Sequence, residues 1–91
     1  MIDVKQAVQA AEVYARSLFP ESELRHLRLE EVDRSEDDSR WHITLGWLEP
    51  TVAGNGIVFS AGMRKLPRVY KLFEIDAETG EVVAMKIRDV G

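Results

Sequence analysis

The side chains that most often carry out chemistry in proteins are sparse in this sequence. It has no cysteine, which excludes disulfides, cysteine-ligated zinc and thiol catalysis. Its two histidines, His26 and His42, have no HxH, HxxxH or HExxH spacing, so no metal-site motif includes them. The five serines lack the context of a nucleophile elbow, and the glycines at 54 and 56 lack the lysine and following helix of a phosphate-binding loop. We therefore predict a protein with no enzymatic activity, no cofactor and no bound metal.

Carboxylates are concentrated in residues 30–38, where six acids accompany one arginine: Glu30, Glu31, Asp33, Glu36, Asp37 and Asp38. The alternating acids and central glycine of an EF-hand loop are missing, so only weak Ca²⁺ binding is conceivable there. No acid has enough apolar sequence around it to be buried for acid–base catalysis. The segment predicts a solvated turn.

Composition limits the partners and the location. The net charge of −4 disfavours nucleic acid, because phosphate binding needs a basic field. No apolar run reaches membrane-spanning length, and the N-terminal residues show no signal-peptide pattern. We predict a single domain over residues 1–91, located in the cytoplasm, with neither nucleic acid nor membrane as a partner.

Residues 3–19 have the spacing of an amphipathic helix. Asp3 followed by Gln6 predicts a capping box at its start, and Pro20 ends it. The apolar face is rich in alanine, which lets a helix lie close to a sheet. Its members are Ile2, Val4, Ala7, Val8, Ala11, Tyr14, Ala15 and Leu18.

Two segments of alternating polarity predict neighbouring strands. Residues 24–33 place Leu27 and Leu29 on one face, and the alternation slips near Val32, which indicates a bulge or the end of the strand. Residues 40–48 alternate most regularly, with four apolar side chains on one face: Trp41, Ile43, Leu45 and Trp47. Two tryptophans on one face predict that this strand lies at the centre of the core.

Residues 69–90 predict a β-hairpin. The sequence DAETGE at 76–81 fits a type I turn followed by Gly80 in the left-handed conformation, with Asp76 paired with Glu81. This register places one apolar set on the core face: Tyr70, Leu72, Val83, Met85 and Ile87. It places a second apolar set on the back: Val69, Phe73, Ile75, Val82 and Ala84. A sheet with a solvated back does not carry such a set, so something is expected to cover it.

A helix followed by four strands in one antiparallel sheet resembles the cystatin-like architecture. The segment from Tyr70 to Val82, YKLFEIDAETGEV, resembles the close of a PepSY domain, which ends in an aromatic strand, an Asp, a Thr-Gly turn and an apolar strand. The resemblance implies an α+β fold, with one N-terminal helix packed on a four-stranded antiparallel sheet. Because PepSY domains are thought to bind or inhibit partners, it also implies a non-catalytic binding module.

The long segment 49–67 and the back of the hairpin together predict a contact surface. Ile57, Val58 and Phe59 are more apolar than a solvated loop needs, and a basic cluster of Arg64, Lys65, Arg68 and Lys71 follows them. Either this segment folds over the back of the hairpin, or another chain covers it, such as a second copy in a homodimer. We predict a small protein-interaction module of unknown process that uses the 50–66 loop and the hairpin back. Its partner-binding residues are Ile57, Phe59, Arg64, Lys65, Arg68, Phe73 and Ile75.

A second hypothesis is a small-ligand-binding domain. Its pocket would lie between the helix and a curved sheet and would be lined by Trp41, Trp47 and Tyr70. This hypothesis requires a cavity, which a full core in a chain of 91 residues rarely leaves.

Overall fold

The computed structural model describes residues 1–48 and 68–88 and contains one helix and four strands. The elements are α1 (Val4–Leu18), a short 3-10 turn (Glu21–Glu23), β1 (Arg25–Arg34), β2 (Arg40–Leu48), β3 (Arg68–Asp76) and β4 (Val82–Ile87). The strands form one antiparallel sheet in the order β1-β2-β3-β4, and α1 packs on one side of it. The predicted α+β fold is therefore confirmed. We call the side that α1 covers the helix face and the opposite side the outer face.

The ends of α1 are fixed by the residues that the sequence indicates. The Asp3 carboxylate accepts a hydrogen bond from the Gln6 backbone N–H at 2.8 Å, and the Gln6 amide oxygen accepts one from the Asp3 N–H at 2.9 Å. This reciprocal capping box satisfies two backbone donors that the first turn leaves free. The helix ends at Leu18, with Phe19 as its C-cap before Pro20, and it buries three alanines about one turn apart: Ala7, Ala11 and Ala15. Within the described residues, no helix is long and apolar enough to cross a membrane.

The core lies between these alanines and the helix face of β2 and β3. The predicted apolar face of β2 is confirmed, since Ile43, Leu45 and Trp47 are buried there. Two aromatic contacts join the C-terminal half of α1 and its cap to the sheet. Tyr14 meets Phe73 edge-on at 6.2 Å, and Phe19 packs on Trp47 at 5.2 Å between ring centroids.

The hairpin turn is confirmed, but the predicted faces of β3 are wrong. The Asp76 N–H donates to the Glu81 carbonyl at 2.9 Å, and Gly80 has φ +80°. However, Phe73 and Ile75 pair with Ile43 and Trp41 of β2, which places them on the helix face. Both are completely buried. The predicted core residues Tyr70 and Leu72 instead lie on the outer face, and both are half-buried.

A β-bulge explains the second error in the hairpin. Ile75 pairs with Val82 as predicted, but Glu74 pairs with Ala84, so Val83 is an extra residue in β4. Beyond the bulge, Phe73 pairs with Met85, whereas the predicted register paired it with Ala84. Val82 and Met85 therefore pack on the core, whereas Val83 is 42% exposed. Ile87, also predicted as core, is 80% exposed.

Candidate functional site

The outer face carries ion pairs that join all four strands. The Glu74 carboxylate, on β3, lies 2.8 Å from Arg40 Nη1 on β2 and 2.9 Å from Lys86 Nζ on β4. Only 10% of its side chain is exposed. The hydrogen bond from Lys86, followed by the one from Arg40, lowers the pKa of Glu74 below its ordinary value despite this burial. Glu74 is therefore a buried anion held by two cations from neighbouring strands.

A second group of ion pairs reaches β1. Glu30 Oε2 lies 2.9 Å from Arg28 Nε and 3.1 Å from Arg68 Nη2, directly over Gly46. A Cβ atom at Gly46 would come within 2.7 Å of the same carboxylate oxygen, so the absence of a side chain there makes the approach possible. Arg88 pairs with Glu31 at 2.7 Å and donates to the Thr44 hydroxyl at 3.2 Å. The outer face is thus polar and largely neutralised.

The histidines do not assemble a reactive site in the described part of the chain. His42 is in register with Asp33 on one side and Glu74 on the other, but the Glu74 carboxylate is already engaged by two cations. His26 is exposed at an irregular position of β1, with φ +57°, and its carbonyl accepts from Arg68 at 3.1 Å. Within residues 1–48 and 68–88, no group of three or more potential ligands could hold a metal ion.

The acidic segment 30–38 is divided between β1 and the β1–β2 turn. In the turn, Asp37 Oδ1 accepts from the Ser39 hydroxyl at 2.7 Å, the Ser39 N–H at 3.0 Å and the Ser35 hydroxyl at 2.8 Å. These bonds, led by those from Ser39, lower the pKa of Asp37 to about 2. Asp38 instead lies 3.8 Å from Arg34. The acids stabilise a turn and a network of ion pairs, and they do not converge on one point.

The structure separates the predicted partner-binding residues. Phe73 and Ile75 are core residues, so they cannot form a contact surface in the folded domain, which corrects the prediction for the back of the hairpin. Arg68 lies on the outer face with 15% of its side chain exposed, engaged by Glu30. The remaining four, Ile57, Phe59, Arg64 and Lys65, lie outside the described residues, together with the whole 50–66 loop.

The three aromatic residues proposed to line a ligand pocket also fail to converge. Trp41 and Trp47 lie on the helix face, where the Arg34 guanidinium stacks 4.5 Å above the Trp41 ring. Tyr70 lies on the outer face, beside Gly46. The sheet itself therefore separates Tyr70 from the tryptophans.

Apolar surface that the prediction missed lies along β4, an edge strand of the sheet. Val83 and Ile87 are exposed there, and Val13 and Tyr14 are exposed on the adjacent side of α1. An open groove of about 570 Å³ runs between α1 and the start of β4. Its lining is mostly uncharged and comprises Gln6, Gln9, Ala10, Val13, Tyr14, Ser17, Gly80, Glu81 and Val82. In the sequence, Val83 and Ile87 look like core residues, so the alternation of β4 gives no signal for this surface.

The backbone of β4 offers hydrogen-bonding groups along the edge that points away from β3. The Arg88 N–H donates to the Tyr70 carbonyl at 3.0 Å, and Lys86 and Ala84 face Leu72 and Glu74. In an antiparallel ladder, backbone groups of successive residues point alternately to the two sides of a strand. The N–H and C=O groups of Met85 and Ile87 therefore point away from β3, toward an edge that no other described strand covers, which we call the free edge.

The two edge strands differ in how well they are protected against pairing. β1 has two register shifts, and it carries charges along its length, among them Arg25, Arg28, Glu31 and Asp33. Such bulges and charges discourage addition of another strand. β4 has one bulge and one charged residue, Lys86, whose ammonium is drawn onto the outer face by Glu74 at 2.9 Å. β4 is therefore the less protected edge.

Comparison of the chain with protein-family models, curated proteins and solved structures gives no match. The resemblance to PepSY domains therefore stays a prediction, and the functional argument rests on the geometry described above.

Proposed function

We propose that this domain is a non-enzymatic protein-interaction module that binds an extended segment of a protein along the free edge of β4. One observation carries the proposal. On β4, the backbone groups of Met85 and Ile87 point away from β3, and the same strand exposes the apolar side chains of Val83 and Ile87. Exposed apolar surface beside unpaired backbone is the usual feature of an edge that accepts a strand.

The groove beside β4 suggests what the bound segment presents. When a strand is added to a sheet edge, main-chain hydrogen bonds provide affinity and pockets for alternate side chains provide specificity. The groove offers Ala10, Val13 and Val82 as apolar contacts and the amide of Gln9 at its wall. A segment with apolar residues at every second position fits these contacts. Glu81 at the groove disfavours an acidic residue there.

The PepSY-like and cytoplasmic assignments are part of this proposal. The order of helix and strands, together with the residues from Tyr70 to Val82, supports a PepSY-like binding role. A cytoplasmic location stays a prediction from the sequence, and fractionation of source cells checks it.

A capture experiment with two matched variants tests the contact surface. Val83→Lys places a charge on the β4 edge, and Val32→Lys makes the same change at a 36%-exposed valine on β1, compared with 42% for Val83. Immobilised wild type and both variants are incubated with source-cell lysate, and bound proteins are quantified by mass spectrometry. Below saturation, we expect Val83→Lys to capture at most one tenth as much of each specific partner as wild type, equivalent to a loss of about 1.4 kcal/mol of binding free energy. Equal capture by all three proteins would contradict the proposal.

A further inference from the structure

We infer that Glu74 is a positioning residue that keeps the free edge of β4 open to an added strand, because it holds the Lys86 ammonium over the sheet. This inference rests on the proposed function and names what controls access to that same surface. Sheet edges are commonly protected by lysine, whose charge an approaching strand would have to desolvate. β4 contains one charged residue, Lys86, but its Nζ lies 2.9 Å from the Glu74 carboxylate. The residue suited to protect this edge is thus turned away from it.

The position of Lys86 allows its side chain to lie on either side of β4. Lys86 pairs with Leu72 of β3 on the outer face, and its side chain is 60% exposed. From this position a flexible four-carbon stem can place the ammonium either over β3 or beyond β4, at the free edge. The Glu74 carboxylate on β3 selects the first position. The outward-pointing N–H and C=O groups of Met85 and Ile87 are therefore left clear of this ammonium.

Glu74 is fixed well enough to hold Lys86 in place. Only 10% of its side chain is exposed, and Arg40 Nη1 on β2 lies 2.8 Å from its other carboxylate oxygen. A carboxylate that is largely removed from water and fixed by a second cation loses more when its partner leaves than an exposed, mobile carboxylate does. We therefore expect the Lys86 ammonium to stay over the sheet in the free protein.

The next cation along the chain is directed over the sheet in the same manner. Arg88 Nη1 lies 2.7 Å from the Glu31 carboxylate on β1 and donates to the Thr44 hydroxyl on β2 at 3.2 Å. Its guanidinium therefore lies over the outer face and not at the free edge of β4. The two neighbouring cations are thus both held by acids on other strands, and the free edge between Val83 and Ile87 stays clear of positive charge.

Peptide binding measured by fluorescence anisotropy tests the role of Glu74. The probe is the peptide Gln-Val-Thr-Val-Thr-Val-Gln, labelled at its N-terminus with an uncharged dye and amidated at its C-terminus. It has valine at every second position and no charge, so direct attraction between peptide and protein charges does not enter the comparison. We expect Glu74→Gln to raise the dissociation constant roughly threefold, the size of an exposed ion pair, because the released Lys86 ammonium must leave the edge before the peptide pairs.

Two double variants separate this role from a loss of structure. Adding Lys86→Gln to Glu74→Gln removes the released ammonium, so we expect the wild-type dissociation constant to return. Adding Arg40→Gln removes the other cation of the same carboxylate, which lies on β2 and away from the edge, so the binding loss should remain. Both double variants contain the same change at Glu74, so a purely structural role would not distinguish them. If Glu74→Gln does not fold, Glu74→Asp draws the carboxylate back by one methylene, and Lys86→Gln should cancel its binding loss as well.

Val83→Lys connects these measurements with the proposed function, and we expect it to raise the dissociation constant about tenfold. If Val83→Lys weakens binding but Glu74→Gln does not, the inference is overturned and the proposed function stands. The same holds if Lys86→Gln cancels the loss no better than Arg40→Gln does. If wild type does not bind the peptide, the inference falls, and capture from lysate decides the proposed function alone. Equal binding by wild type and Val83→Lys would remove both.

Discussion

In β3, Phe73 and Ile75 face α1, whereas Tyr70 and Leu72 lie on the outer face. This arrangement leads to a direct prediction about stability. Phe73 is completely buried on the helix face and contacts Tyr14 edge-on, whereas its neighbour Leu72 is half-buried on the outer face. Replacing a buried phenylalanine by alanine costs about 3–5 kcal/mol, because apolar burial is lost and a cavity remains. For Leu72→Ala we expect about 1 kcal/mol, a typical value for a partly exposed position.

Urea unfolding followed by tryptophan fluorescence measures both changes, because Trp41 and Trp47 lie on β2 beside the altered strand. The total free energy of unfolding of a small domain is about 5–15 kcal/mol, so Phe73→Ala removes a large part of it. In thermal unfolding, each kcal/mol corresponds to roughly 4–8 °C for a domain of this size. We therefore expect Phe73→Ala to lower Tm by at least about 12 °C and Leu72→Ala by less than about 8 °C.

Comparing the unfolding free energy lost in Phe73→Ala with that lost in Leu72→Ala shows which residues of β3 face α1. If Leu72→Ala destabilised the protein more than Phe73→Ala, the helix would cover the even-numbered residues of β3. That result would contradict the observed pairing of Phe73 with Ile43. The same result would place Phe73 and Ile75 on the outer face of the sheet.

Two further predictions concern the ion pairs of the outer face. Because Lys86 and Arg40 lower the pKa of Glu74 in the folded state, its ionised form stabilises the fold above its ordinary pKa of 4.5, and this contribution is lost as the pH falls through the lowered folded-state value. We expect the difference in Tm between wild type and Glu74→Gln to be largest near neutral pH and to shrink below pH 4.5; a difference independent of pH would contradict this account. Gly46→Ala should cost about 1–3 kcal/mol in urea unfolding, because the new methyl group collides with the Glu30 carboxylate and the Tyr70 ring. Glu30→Ala should relieve part of that cost in the double variant, and strict additivity would show that the close approach is unimportant.

Much of the fold could be predicted because local signals agree with tertiary contacts. The Asp3–Gln6 capping box, Pro20 and the alternation from 40 to 48 each determine an element without reference to the rest of the chain. Gly80 likewise determines the hairpin turn, since its φ of +80° favours glycine.

The faces of the hairpin could not be predicted in the same way. Both faces of β3 carry apolar side chains, so alternation alone does not identify which one the helix covers. The decisive facts are the pairing of Phe73 with Ile43 and the ion pairs of Glu74, which are both contacts between distant segments. The bulge at Val83 adds a shift of one residue, and no residue type in VVAMKI specifies it.

The candidate site was predicted only in part. The expectation of excess apolar surface near the hairpin depended on Phe73 and Ile75, which are core residues. The exposed residues are Val83 and Ile87, which the predicted register had placed in the core. The hairpin remains the region of interest, but its edge and not its back is the surface that the geometry supports.

Amide hydrogen exchange at Met85 and Ile87 tests the central claim most directly, because those N–H groups point toward the free edge of β4. In the free protein both should exchange as fast as unprotected amides, whereas the N–H groups of Ala84 and Lys86, which face β3, should be protected. Exchange at Met85 and Ile87 as slow as that of Ala84 and Lys86 would show that the edge of β4 is already covered and is not the contact surface.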